Sequence, residues 1–201
     1  QLRDEIVTLI VAGHETVATS LTWTWHLLGQ NREVRDKLIA EVDQVLKGER
    51  PRFEHLSQLT YTRQVIDESL RLYPPAWVIS RRALIDGDVM GVEVPAGSYV
   101  FVSPYVLHRT KEYWPDPQTF NPERFAAGAS EQNARFTYIP FGAGPNLCIG
   151  RDLALMEAVL VVAAVASTCT LDPVIGHQVN LDPLVTIRPH GGLPMVLKKR
   201  F

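Results

Sequence analysis

Apolar positions along this chain fall into three regimes, and each predicts a different kind of element. From Leu2 to Leu28, Ile6, Leu9, Ile10, Val17, Leu21 and Trp25 recur at helical spacings, which predicts one long amphipathic helix. Val34, Leu38, Val42 and Val45 predict a second over Glu33 to Leu46, with Asn31 as its cap. Leu59, Val65, Ile66, Leu70 and Leu72 predict a third over Leu59 to Leu72, stopped by Pro74-Pro75. Beyond Trp77 the pattern shortens. Val89 to Val94 and Ser98 to Val102 flank the turn Pro95-Ala96-Gly97 as an expected hairpin, and Val185 to Ile187 with Met195 to Leu197 form another about Gly191-Gly192. Tyr113 to Ala127 has no period, yet it sets Trp114, Phe120 and Phe125 among Pro115, Pro117 and Pro122, so it is expected to be an ordered loop pinned by its aromatics. Gly150 to about Ser167 is apolar on nearly every side, the mark of a buried helix. The fold class expected is mainly α with small β-sheets.

Composition narrows the functions this scaffold can carry. Twenty basic and 22 acidic side chains leave a formal charge of −2, which gives no electrostatic case for nucleic acid or an anionic membrane. The longest apolar stretch, Ala158 to Ala166, falls well short of the roughly 20 residues of a spanning helix, so no membrane segment is expected. Two cysteines, Cys148 and Cys169, are too few for a disulfide scaffold and favour a reducing compartment, with the cytoplasm as the expected location. The chain starts at Gln1 and is helical by Leu2, so a preceding segment is expected to be missing.

The most informative stretch runs from Phe141 to Gly150, FGAGPNLCIG, and leads straight into the apolar helix. A thiolate at a helix N-terminus is favoured by the dipole and by free backbone N–H groups, and flanking glycines let a flat ligand approach the backbone. The alternative is that Cys148 is a small buried hydrophobe. No second Cys or His stands at zinc spacing, and no Lys follows the glycines as a phosphate loop requires.

At this loop the sequence resembles the cytochrome P-450 family of haem-thiolate monooxygenases. The family pattern F-x-x-G-x-R-x-C-x-G is matched by Phe141, Gly144, Cys148 and Gly150, while Asn146 stands where the family usually carries an arginine paired with a haem propionate. An amide can donate a hydrogen bond there but brings no charge.

Motifs far from the cysteine agree. Glu68 and Arg71 stand three apart on one helical face, as a surface ion pair would, or as the pair that this family completes with an arginine from its Pro-rich loop. Pro122-Glu123-Arg124-Phe125 offers Arg124, and the resemblance implies that the three brace the cysteine loop from behind. Ala12-Gly13-His14-Glu15-Thr16 is similar to the family's oxygen-binding motif: Gly13 leaves room, Thr16 presents a hydroxyl, and Glu15 offers a carboxylate for proton relay. That hydroxyl can also bond a carbonyl one turn back. Arg81, with Asp86 and Gly91 following at family spacing, is favoured over Arg82 as a propionate partner.

The resemblance covers the whole of residues 1–201 and corresponds to the C-terminal part of a single domain, with the N-terminal half absent. It implies a haem held by Cys148, an apolar organic substrate, O2, and electrons from a ferredoxin or flavoprotein reductase. The thiolate would push electron density through iron to favour O–O cleavage. The chain alone is expected to be inactive, and a non-catalytic or degenerate haem-binding protein, or a pure packing domain, is the alternative.

Overall fold

The computed structural model describes residues 1–128 and 136–201. Five α-helices are present among them: α1 (Leu2–Gln30), α2 (Arg32–Leu46), α3 (Thr60–Leu72), the single turn α4 (Pro104–Leu107) and α5 (Arg151–Ala166). The core forms where α1, α2, α3 and α5 meet. Trp25, Leu28, Leu38, Val42, Val65, Ile66, Val159 and Val162 lie in one buried cluster, and the apolar stripes read from the sequence supply it. No helix among the described residues is long and apolar enough to cross a membrane.

Asn31 precedes α2, but its side chain serves the other helix. Its Nδ2 donates to Leu27 O at 2.8 Å, the same carbonyl that takes its backbone N–H at 3.0 Å, and makes no cap bond to α2, so the side chain closes the end of α1 instead.

Among the described residues, eight short strands form four two-stranded antiparallel sheets, and two expected hairpins are corrected. β2 (Gly87–Val89) pairs with β3 (Val92–Val94), so the stretch Val89 to Val94 is itself most of a hairpin turning at Met90-Gly91. Both turn residues have positive φ, 54° and 83°, and Asp88 Oδ1 accepts from Gly91 N–H at 2.9 Å. β4 (Tyr99–Val102) pairs instead with β1 (Ile79–Arg82). At the C-terminal end, β6 (Leu181–Pro183) pairs with β7 (Ile187–Pro189), and β8 (Met195–Lys199) pairs with β5 (Cys169–Pro173) directly after α5. Gly191-Gly192 does turn the chain, with φ of 73° and 89°, but the strands on either side of it join different sheets. Partner choice here is non-local, and local turn chemistry cannot supply it.

The Pro-rich stretch is ordered by its aromatics, as expected. Trp114 is 1% exposed, its ring lies 6.0 Å from Phe125, and Phe125 lies 4.8 Å from Tyr138.

Candidate functional site

The cysteine loop is a chain of tight turns. Gly142 and Gly144 have φ of 77° and 73°, a region that side-chain-bearing residues avoid. Gly142 N–H donates to Ile139 O at 3.0 Å, and Leu147 N–H donates to Gly144 O at 3.1 Å. Cys148 N–H then reaches back to Phe141 O at 3.0 Å and closes the loop. Phe141 anchors it by packing against the main core. The result is a free, exposed Cys148 thiol three residues ahead of α5, at the positive end of a sixteen-residue helix. A Cβ at Gly150 would stand 4.0 Å from that sulfur, and one at Gly144 would meet nothing within 4 Å. Asn146 is exposed on the same loop.

A buried charge network joins α3 to the Pro-rich segment, and the surface-pair reading of Glu68 and Arg71 is set aside by it. Both side chains are fully buried. Arg71 Nε donates to Glu68 Oε2 at 2.6 Å and Nη2 to Glu68 Oε1 at 2.9 Å. Its other N–H groups reach the carbonyls of His108 at 2.7 Å, Pro117 at 2.8 Å and Thr119 at 3.2 Å. All five guanidinium donors are thereby used, two of them on the Pro-rich segment and one on His108 just before it. Glu68 Oε1 also accepts from Asn121 N–H at 2.9 Å. Arg124 completes the triad as a charge: its Nε lies 3.4 Å from Glu68 Oε1 without hydrogen-bond alignment, while its Nη2 donates to Asp116 O at 2.9 Å. Burial raises the Glu68 carboxyl above its usual range, against the pull of Arg71.

The triad itself grips the Pro-rich segment rather than the cysteine loop. The link onward is His108, whose role the sequence did not disclose. It is fully buried, and its Nε2 accepts from Ile139 N–H at 2.9 Å, so Nδ1 carries the proton and donates to Arg71 O at 3.1 Å. One neutral imidazole thus ties the end of α3 to the residue from which the cysteine loop turns. Burial holds its pKa down at about 3, which keeps the ring neutral, and the two hydrogen bonds fix the tautomer.

Ala12 to Thr16 lie where α1 passes from bare to buried. Thr16 Oγ1 donates to Ala12 O at 2.6 Å, the back-bond expected of it, and a Cβ at Gly13 would meet nothing within 4 Å. Glu15 Oε1 accepts a 2.7 Å bond from Thr186 Oγ1 on the C-terminal hairpin, a partner that no local pattern announces.

On β1, alternation separates the two arginines. Ile79 Cδ1 lies 3.8 Å from where a Gly142 Cβ would sit, so Ile79 faces the cysteine loop and Arg81, two residues on, shares that face. Arg82 points the other way, its Nη2 3.7 Å from the Cβ position of Gly97. Arg81 is exposed, with Nη1 on Ser80 O at 2.9 Å.

The chain thus presents a free thiol on a glycine-turned loop ahead of α5, with a buried Glu–Arg pair that fixes the Pro-rich segment to α3. The chain belongs to the cytochrome P450 family, whose model matches residues 1–190. It is 44% identical over 200 residues to cyclooctat-9-en-7-ol 5-monooxygenase of Streptomyces melanosporofaciens, a match that takes in 100% of this chain and 43% of the relative. It is 38% identical over 204 residues to the chloroplastic carotene epsilon-monooxygenase of Arabidopsis thaliana, covering 100% and 38%. A solved cytochrome P450 superposes with a TM-score of 0.88 at 33% identity, over 97% of this chain and 44% of that one. The chain therefore spans less than half the length of the curated relatives it matches.

Proposed function

We propose that the chain serves a haem-thiolate monooxygenase that inserts one oxygen atom of O2 into an apolar organic substrate, with electrons from a ferredoxin or flavoprotein reductase. The observation that carries this reading is the Cys148 loop: a free, exposed thiol at a helix N-terminus, beside glycines that leave open space and beside Ile149, which is 95% exposed. An apolar, flat, thiolate-seeking group fits that surface. Haem bound there supplies the chemistry of O2 reduction and oxygen insertion.

The chain's own residues divide the remaining work. Cys148 holds the iron as a thiolate, favoured by the first turn of α5. Gly142 and Gly144 would let a flat group approach the backbone. Arg81 and Asn146 would hold its propionates, one with charge and one with an amide donor. Glu15 carries protons, and the Thr16 hydroxyl, held by Ala12 O, orients water beside Gly13. Relatives named for cyclooctat-9-en-7-ol and for carotene, both hydrocarbon-rich, support an apolar substrate. A reducing cytoplasm suits an exposed free thiol.

The test uses this chain joined to the N-terminal part of its Streptomyces relative and loaded with haem. The reduced carbon monoxide difference spectrum is expected to show a thiolate-type band that Cys148→Ser abolishes. A protein that takes up no haem, or whose band survives the substitution, overturns the reading. Asn146 in place of the family arginine favours the second reading, a haem binder without turnover, which would give the thiolate band and no oxygenated product. The chain by itself is expected to show no turnover, because the apolar residues of Leu2 to Val11 stand without protein cover.

A further inference from the structure

Glu15 does not hang free on α1. The hydroxyl that bonds it belongs to Thr186, 171 residues away and only 4% exposed, at the end of the turn joining β6 to β7. That turn is fixed by three further bonds. Trp77 Nε1 donates to Leu184 O at 2.9 Å, Ile187 N–H donates to Pro75 O at 3.1 Å, and Trp23 Nε1 donates to Ile187 O at 2.8 Å. The hydroxyl is thus carried on backbone tied both to α1 and to the segment after α3, so its proton is offered at a defined point. A hydroxyl donating to a carboxylate at 2.7 Å is a short, charge-assisted bond. Beside it opens a groove of about 1000 Å3, lined by His14, Glu15, Thr19, Asp182, Arg188 and His190 among others, into which an unheld Glu15 side chain could swing.

We propose that Thr186 is the positioning residue for Glu15: its hydroxyl holds the carboxylate at the β6–β7 turn, so that proton delivery by Glu15 depends on a bond from the C-terminal hairpin. This rests on the reading of Glu15 as the proton carrier. Thr186→Val keeps the side-chain shape and removes only the donor, while Thr186→Ser keeps the donor.

The experiment compares the two variants in the haem-loaded protein described above. The first reading is the infrared carboxylate stretch of Glu15, labelled with 13C and assigned by its loss in Glu15→Gln. The second is the share of consumed electrons recovered as oxygenated product rather than hydrogen peroxide. Thr186→Val is expected to shift the Glu15 band and lower the product share several-fold, with the Cys148 thiolate band retained, and Thr186→Ser is expected to restore both. A merely structural role would not separate Val from Ser while the thiolate band stands. An unshifted Glu15 band, or an unchanged product share in Thr186→Val, overturns this inference alone. A wild-type protein without the thiolate band overturns the haem reading and this inference with it. Should Thr186→Val fail to fold, Thr186→Ala is read in the same way.

Discussion

The two halves of α1 have similar apolar content and opposite fates. In the C-terminal half, Trp23 and Leu28 are 1% and 0% exposed, Trp23 stacks on Tyr73 at 4.0 Å, and Thr24 bonds Ser69 at 2.9 Å. In the N-terminal half, Leu9, Ile10 and Val11 are each at least 60% exposed. Helical period therefore tells that a face is apolar, but what covers it is a property of the rest of the molecule. The segment proposed for proton delivery, Ala12 to Thr16, stands at that border, with a packed scaffold on one side and uncovered apolar surface on the other. The same contrast repeats around Arg71 and Cys148, where every donor of the first is used inside protein and the thiol of the second faces outward.

The sharpest way to break this contrast is to remove a charge from the packed side. Arg71→Ala leaves Glu68 buried with its bidentate partner gone and three carbonyls without their donor. Breaking a buried pair in this way costs about 3–5 kcal/mol, a large share of the roughly 5–15 kcal/mol that holds a domain together. Urea unfolding is expected to find the variant largely unfolded. Leu9→Ser on the bare side is expected to stay within about 0.5 kcal/mol of the parent. Equal losses from the two changes would erase the distinction.

A second test reads the link between the triad and the cysteine loop through pH. His108 has a folded pKa of about 3 against an ordinary 6.5. Between those values the unfolded chain binds a proton that the fold refuses, so the neutral ring's contribution is complete above pH 6.5 and is lost as pH falls toward 3. At about 1.4 kcal/mol per unit, acidification from pH 6.5 to 5 removes up to ~2 kcal/mol. His108→Gln is expected to be less stable at neutral pH and to show a flatter stability slope over that range. An unchanged slope would mean that the ring is not held neutral.

Trp23→Phe is a smaller probe of the same side. It removes the donor to Ile187 O and leaves a buried carbonyl with one partner fewer, a cost of about 1–3 kcal/mol in thermal or urea unfolding. Trp77→Phe, whose bond reaches Leu184 from a more exposed ring, is expected to cost less.

What could be read from the sequence follows the range of the interaction. Helices α1, α2, α3 and α5 were legible because their period is local, and Glu68 with Arg71 because three residues on a helix make one face. The Pro-rich loop was legible because three large aromatics in a segment without period must be buried somewhere. Strand partners were not. Met90 in a positive-φ turn carries no usual turn signal, and β8 pairs with β5, more than twenty residues earlier in the chain, across a stretch that no local turn bridges. His108 and Thr186 escaped for the same reason: their bonds reach 31 and 171 residues along the chain and follow from the finished fold.

The mildest intervention falls on the outward side, at the one position of the cysteine loop that departs from the family pattern. Asn146 is exposed, and nothing in the loop's closure uses its side chain: the turn depends on Gly142, Gly144 and the bond from Cys148 N–H to Phe141 O. Asn146→Arg is therefore expected to leave unfolding unchanged. Its effect should appear only with haem bound, where a guanidinium replaces an amide opposite a propionate. A partly solvated pair of that kind is worth about 0.2–1 kcal/mol, so transfer of haem to an excess of apomyoglobin is expected to slow by a factor of about 1.4 to 5 at low salt and by less at high salt. An equal rate in the two proteins would place position 146 away from the propionates, and would leave Arg81, on the strand face turned toward Gly142, as the cation that holds them.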